Sequence, residues 1–215
     1  KMKVTVISDT HGYHKDLELT AGDVLIHCGD FSHTPQSVFA FTKWLGEQPF
    51  EHKILIAGNH DTYVETVGYT QMFDYCKSHG VTYLQDTSVI INGIKFYGTP
   101  WTPMFMNWAF MKDDDMLDSY WDMIPSDTDV LITHGPAYGI ADKVLDVYST
   151  NSANIDKHVG SKTLLHKIQT LDLKYHLFGH IHECYGEYNL KYKAINASIF
   201  DHYSDELKHP ICFEI

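Results

Sequence analysis

A chain of 215 residues that is 44% hydrophobic and 20% charged has the length and apolar content of one globular domain, which excludes a disordered chain. No apolar run approaches the roughly 18–20 residues that cross a bilayer, so no membrane span is expected. Sixteen lysines, no arginine and 28 acidic residues leave a formal charge of −12. Such a surface repels nucleic-acid backbones and acidic membranes, and without guanidinium groups any phosphate chemistry has to draw positive charge from elsewhere, most simply from metal.

Lys1-Met2-Lys3 runs straight into the strand-like Val4–Ile7 with no apolar signal region. Cys28, Cys76, Cys184 and Cys212 form no CxxC pair, so a reduced, cytoplasmic protein is expected. A second β-branched run, Val24–Cys28, precedes a helix predicted over Pro35–Gln48, which has Pro in its first turn and Val38, Phe41, Trp44 and Leu45 on one face. The strand Ile54–Ala57 leads to a helix over Thr62–His79 that stops at Gly80. Val89–Ile91 and Ile94–Tyr97 flank Asn92-Gly93, a two-residue hairpin signal. Asp113-Asp114-Asp115 reads as a solvated helix start, Val130–Thr133 as a strand and the Asn- and Ser-rich Tyr148–His158 as a loop. A helix over Ser161–Leu171 follows a Ser cap, then the strand His176–Phe178 and weaker strand signals at Ile195–Ala197 and Ile211–Ile215. The strong strands are near-continuously apolar, as strands buried on both faces are. Strands and helices alternate early and a hairpin follows, so residues 1–215 are expected to form a single α/β domain with mixed sheets.

Metal-capable side chains fall where these strands end. Asp9 and His11 follow the first strand in Ser8-Asp9-Thr10-His11-Gly12, and Asp30 follows the second. Asn59, His60 and Asp61 follow the third in Gly58-Asn59-His60-Asp61. His134 closes Val130–Thr133, and His180 and His182 follow Phe178 in Gly179-His180-Ile181-His182. Ligands of open α/β sheets sit outside the carboxyl ends of the strands, so these dispersed groups are expected to converge in one cleft. Aspartate, histidine and asparagine make an oxygen/nitrogen set suited to Mn²⁺, Fe or Zn²⁺, and a thiolate zinc site is excluded. The groups are too many for one ion that keeps an open position; two ions sharing a carboxylate would use them.

The ordered set DxH, GD, GNHD, H and GHxH resembles the calcineurin-like metallophosphoesterase superfamily from Asp9 to His182. Gly98-Thr99-Pro100-Trp101, Asn107-Trp108 and Phe178-Gly179-His180-Ile181-His182-Glu183 look like its small metallophosphodiesterase-domain branch, the one similar to class III cyclic nucleotide phosphodiesterases. The resemblance implies a four-layer α/β/β/α sandwich with two mixed β-sheets. It also implies two divalent cations, Mn²⁺ before Fe or Zn²⁺. One would be held by Asp9, His11, Asp30 and His182, the other by Asp30, Asn59, His134 and His180. His60 would be the general acid, with Asp61 fixing its orientation.

Such a pair of ions, generally about 3.5–4 Å apart, makes a bridging hydroxide that attacks phosphorus while His60 protonates the departing alkoxide. Asp30 is followed by Phe31-Ser32-His33-Thr34 rather than the Asp-Arg-Gly of the superfamily's protein phosphatases, which argues against that activity, and Cys184 stands where the close branch often has glycine. The expected substrate is a small phosphodiester, with a nucleotide as one form of it. A nucleotide phosphomonoesterase is the enzyme alternative, and a non-catalytic interaction module on the same fold is the rival from another class. Nucleic acid is not an expected partner, since no basic groove is apparent. Trp101, Phe105, Asn107 and Trp108 read either as a packed loop or as a wall against which a nucleobase stacks. His33 could neighbour the site, and Asn196 could support it or serve a turn.

Overall fold

The computed structural model describes residues 1–145, 156–201 and 204–215. Strands are numbered in chain order. In the first sheet β1 (Lys3–Ile7), β2 (Gly22–His27), β3 (Phe50–Leu55) and β4 (Thr82–Tyr83) are parallel neighbours, and the last strand, β17 (Ile211–Glu214), adds antiparallel beside β1. The second sheet has β6 (Ile94–Thr99), β9 (Val130–Thr133), β12 (Tyr175–Phe178) and β14 (Lys193–Asn196) parallel in that order. Antiparallel edges are formed by β5 (Thr87–Ile91) beside β6 and β13 (Gly186–Asn189) beside β14. Three short ribbons complete the strands: β7 (Thr102–Pro103) with β8 (Met111–Lys112), β10 (Lys143–Leu145) with β11 (Asp156–His158), and β15 (Phe200–Asp201) with β16 (Glu206–Leu207).

The period-2 alternation of side chains sorts the strand residues into layers. Val4, Val6, Val24, Ile26 and Ile54 meet Phe96, Val130, Ile132, Leu177 and Ile195 in a core between the two sheets. Ile7, Leu25 and Leu55 point the other way, onto helices α1 (Pro35–Gly46), α2 (Thr62–Val67) and α3 (Tyr69–Ser78). On the far face of the second sheet, Tyr97 and Leu131 pack against Leu117 and Trp121 of α4 (Asp114–Trp121) and Leu164 and Ile168 of α5 (Lys162–Gln169). The result is a four-layer α/β/β/α sandwich with two mixed sheets. Both faces of each central strand are covered, so both parities are apolar; each such side chain, fully buried, contributes about 1.5–3 kcal/mol. Among the described residues no helix is long and apolar enough to cross a membrane.

Thr34 accepts the Ser37 N–H as a capping box with Pro35 behind it, and Ser161 accepts the Leu164 N–H at the start of α5. The continuous helix expected over Thr62–His79 is two helices. Gly68, at φ 83° and ψ 165°, ends α2 and precedes α3, a conformation that only a residue without Cβ adopts cheaply. Asp114 is less solvated than expected, because its carboxylate accepts the Lys162 and Thr163 N–H groups and so caps α5 from α4. Residues 148–155 of the expected Tyr148–His158 loop lie outside the described residues, and Asp156–His158 forms β11.

His176 of β12 is completely buried, its Nε2 2.8 Å from the Thr133 hydroxyl. Burial pushes it from 6.5 down to about 3. The folded chain therefore stays neutral at His176 while the unfolded chain takes a proton below pH 6.5, and stability falls by up to about 1.4 kcal/mol per pH unit from there toward pH 3. His176→Gln, which can keep a partner for Thr133, is expected to shallow the decline between pH 6 and 4 by about one proton's worth. Urea unfolding of the metal-free protein at a series of pH values checks this; an unchanged slope would exclude His176 as the source.

Candidate metal centre

The carboxyl ends of β1, β2 and β3 meet those of β9, β12 and β14 along one rim. Ser8 and Ser198 form a parallel bridge there between the two sheets, and the Asp9 N–H donates to the Gly29 carbonyl while the Gly179 N–H donates to that of His134. The turns leaving the strands are tight: Asp9, His11, Asp30 and His180 have φ of 54°, 43°, 60° and 71°. Left-handed backbone at non-glycine residues carries a cost of order 1–3 kcal/mol each and collects at functional sites.

Two groups of ligand atoms form on this rim. Those of Asp9, His11 and His182 lie within 4.8 Å of one another, and so do those of Asp30, His134 and His180. Each carboxylate uses one oxygen as an anchor and turns the other inward. Asp9 Oδ2 accepts from Ser8 Oγ (2.6 Å), Ser198 Oγ (3.0 Å) and the His180 N–H (2.9 Å), while Oδ1 faces His182 Nε2 at 3.2 Å and His11 Nε2 at 3.8 Å. Asp30 Oδ1 accepts the His60 N–H at 2.8 Å, and its Oδ2 lies 3.3 Å from His134 Nε2 and 3.9 Å from His11 Nε2, so one oxygen faces both groups. Asn59 Oδ1 joins the second group, 2.8 Å from His134 Nε2.

The imidazoles are oriented in the same manner. His134 Nδ1 lies 2.7 Å from the Cys28 carbonyl and His182 Nδ1 2.7 Å from that of Phe200. Donation from Nδ1 fixes the tautomer and leaves the Nε2 lone pair for a ligand. Glycine makes the approach possible: a Cβ on Gly58 would stand 2.3 Å from Asp30 Oδ1, and one on Gly179 2.1 Å from Asp9 Oδ2. Burial would raise Asp30 and depress His134, but their mutual attraction prevails, holding Asp30 at about 2 and His134 at about 10. A metal-binding histidine must be neutral, so cation uptake here displaces that proton.

A model of the calcineurin-like phosphoesterases matches residues 2–184. The chain belongs to that family. Its relatives include the metallophosphoesterase domain-containing protein 1 of Homo sapiens and that of Mus musculus, each 36% identical over 204 residues, covering 84% of this chain and 60% of theirs. A UPF0046 protein of Caenorhabditis elegans is 33% identical over 235 residues, covering 100% of this chain and 81% of its own length. The chain thus spans about 60% of the human and mouse relatives. Solved structures share the fold at low identity. A Mycobacterium tuberculosis phosphopantetheinyl hydrolase has a TM-score of 0.61 at 14% identity, covering 92% of this chain and 89% of its own. A Thermus thermophilus protein has a TM-score of 0.60 at 13% identity, with the same coverage. Membership of this metallophosphoesterase family implies divalent cations. The residues fit them: two groups with inward carboxylate oxygens and Nε2 atoms, each held from behind by donors and carbonyls, form an oxygen/nitrogen cage without thiolate.

The calcineurin-like centre opens into a cleft of ≈ 610 Å³. His60 and Trp108 line it, their rings 4.5 Å apart, and His33 lines it too, with its Nδ1 3.3 Å from the His60 carbonyl. Burial, reinforced by His11 and His134 and opposed by Asp30, lowers His60 below the ordinary histidine value. Asp61 departs from its expected role. Its carboxylate is consumed by four backbone N–H groups, Asp30 (2.8 Å) and Gly58 (2.6 Å) on Oδ2, Phe31 (2.9 Å) and Ser32 (2.8 Å) on Oδ1. It therefore shapes the loop that carries Asp30 instead of gripping the His60 ring. Burial and the Asp30 charge push it up to about 7.

The aromatic segment divides. Trp101 is a packing residue: its indole N–H donates to Asp86 Oδ2 at 2.9 Å, and its ring lies 4.5 Å from Tyr120. Phe105 is 60% exposed, with its ring edge-on to Trp108 at 5.5 Å, and Asn107 is exposed with φ 54°. Only Trp108 of the four lines the cleft. Asn196 supports the site, donating to the Ile181 carbonyl (2.8 Å) and accepting the Ser198 N–H (3.0 Å). The sequence does not single out Ser8 or Ser198, although Ser8 stands inside the first motif and Ser198 directly follows the Ile195–Ala197 strand signal.

Proposed function

We propose that the protein hydrolyses small phosphodiesters with two divalent cations, Mn²⁺ in preference to Fe or Zn²⁺. The observation that carries this reading is Asp30 Oδ2, one carboxylate oxygen set between two histidine-rich ligand groups, 3.3 Å from His134 and 3.9 Å from His11. Asp9, His11, Asp30 and His182 would hold one cation, and Asp30, Asn59, His134 and His180 the other. Bound there, the cations supply an activated water and neutralise phosphoryl charge. Asp9 and Asp30 keep their geometry because their outer oxygens are already anchored. His60 gives its proton to the departing alkoxide oxygen, and the Trp108 ring packs against it at 4.5 Å.

Charge favours a diester over a monoester. Glu183 and Asp201 line the cleft of a chain whose formal charge is −12, and a singly charged phosphodiester meets less repulsion there than a dianion. The flat Trp108 ring suits a nucleobase, and cyclic nucleotides combine both features.

A metal-reconstituted panel of phosphomonoesters, linear diesters and 2′,3′- and 3′,5′-cyclic nucleotides tests this. Diester turnover abolished by chelation is the expected result; monoester turnover alone would transfer the assignment to a phosphomonoesterase. On the same panel Trp108→Ala should raise KM for nucleotide diesters about 10-fold, roughly the loss of one stacking contact of 1–3 kcal/mol, and change a small aryl diester less. Equal effects on both would remove Trp108 as a base platform.

A further inference from the structure

We infer that Lys208 is a substrate-positioning cation of this cleft, its ammonium receiving a phosphoryl oxygen of the bound ester. The inference rests on the phosphoester reading given above and adds a residue to it.

Lys208 follows β16, its backbone N–H donating to the Ile199 carbonyl at 2.7 Å. The side chain is then clamped in place. Its Nζ donates to the His182 carbonyl at 3.2 Å and lies 5.2 Å from the centre of the Tyr185 ring, while the Tyr185 hydroxyl donates to the His209 carbonyl at 2.6 Å. One N–H of the ammonium is thus occupied by the backbone of a proposed cation ligand, and an ammonium has three. The half-buried side chain lines the same cleft as His11 and His60.

Lys208 is the lysine that lines this cleft, and paired lysines elsewhere give the contrast. Lys174 and Lys193 sit 2.7 Å and 3.1 Å from Asp129 and Glu187. Glu183 and Asp201 line the cleft with Lys208, yet among the described residues no carboxylate lies within 4.0 Å of its ammonium. In a chain with 28 acidic residues and no arginine, a clamped ammonium without a carboxylate partner beside a proposed phosphoester site is a fixed positive charge left for an incoming anion. An ammonium acts as a point charge with rotatable donors, which suits a phosphoryl oxygen that shifts as the ester reacts.

The test separates charge from the hydrogen bond to His182. Wild type, Lys208→Met, Lys208→Gln and Lys208→Arg are loaded with Mn²⁺, their metal content is measured, and inorganic phosphate is titrated calorimetrically at two salt concentrations. Kinetics on a small aryl phosphodiester follow. All four proteins are expected to hold the same Mn²⁺. Phosphate should bind about 10-fold more weakly to the Met and Gln variants, with a smaller salt dependence, and within about 3-fold of wild type to the Arg variant. KM should rise about 10-fold in the Met and Gln variants with kcat nearly unchanged, the signature of lost uniform binding.

Glutamine restoring wild-type phosphate affinity would overturn the inference, since a neutral donor to the His182 carbonyl would then suffice. Loss of Mn²⁺ from the Met variant together with its phosphate binding would overturn it in favour of a purely supporting role. Wild type that binds no phosphate would bring down the phosphoester reading itself, whereas wild type and Lys208→Met binding it equally would bring down Lys208 alone.

Discussion

Replacing Asp30 by asparagine is expected to empty both proposed cation positions together and to lower phosphodiester turnover by at least about 10³-fold, roughly 4 kcal/mol of lost transition-state stabilisation. The reason lies in how its two oxygens are used. Oδ1 accepts the His60 N–H at 2.8 Å, a bond that the carboxamide oxygen of asparagine can keep, so the loop survives. Oδ2, which faces His134 and His11, would become a neutral amide nitrogen that donates where a cation needs an acceptor. Asp9→Asn makes the informative contrast, because Asp9 Oδ1 faces only the group containing His11 and His182. Elemental analysis should find close to no cation in the Asp30 variant and about one per chain in the Asp9 variant. Two cations per chain in Asp30→Asn would show that the carboxylate is not shared.

The sandwich was legible because its signal is local. Val4–Ile7, Val24–Cys28 and Val130–Thr133 are apolar at both parities, which requires cover on both faces, and each overlaps an observed strand. β13 was not legible: Gly186–Asn189 is half exposed and polar and becomes a strand only because β14 offers it an edge. The break at Gly68 was hidden by helical spacing on either side, and only the backbone conformation of that one residue divides α2 from α3.

Metal-capable residues could be found because tight turns after apolar runs put Asp9, Asp30, Asn59, His134, His180 and His182 at strand ends, where parallel topology must collect them. Their supports could not. Ser198 reaches Asp9 across 189 residues, a pairing that no local pattern encodes. Asp61 and Trp101 show the converse. A carboxylate next to His60 and an indole in an aromatic stretch look as though they serve the site, yet each is claimed by nearer partners, four backbone N–H groups for one and Asp86 with Tyr120 for the other.

That displacement of Asp61 sharpens what His60→Ala should do. Since the Asp61 carboxylate holds the loop and not the imidazole, His60 is positioned by its own backbone, fixed at the N–H by Asp30 and approached at the carbonyl by His33, and by the Trp108 ring 4.5 Å away. Truncating the side chain leaves all of the backbone bonds in place, so cation content and thermal stability should stay close to wild type. Turnover should not. Proton donation to a leaving group is generally worth about 10²–10⁴-fold, and its value depends on how badly the leaving oxygen needs the proton. An alkoxide such as a ribose oxygen needs it acutely, while p-nitrophenolate departs readily without it. His60→Ala is therefore expected to lose about 10³-fold on a cyclic nucleotide or alkyl diester and only about 10-fold on an aryl diester with a good leaving group. A uniform loss on both substrates would mean that His60 orients the phosphoryl group rather than protonating the product. A loss accompanied by missing cations would place it among the ligands instead.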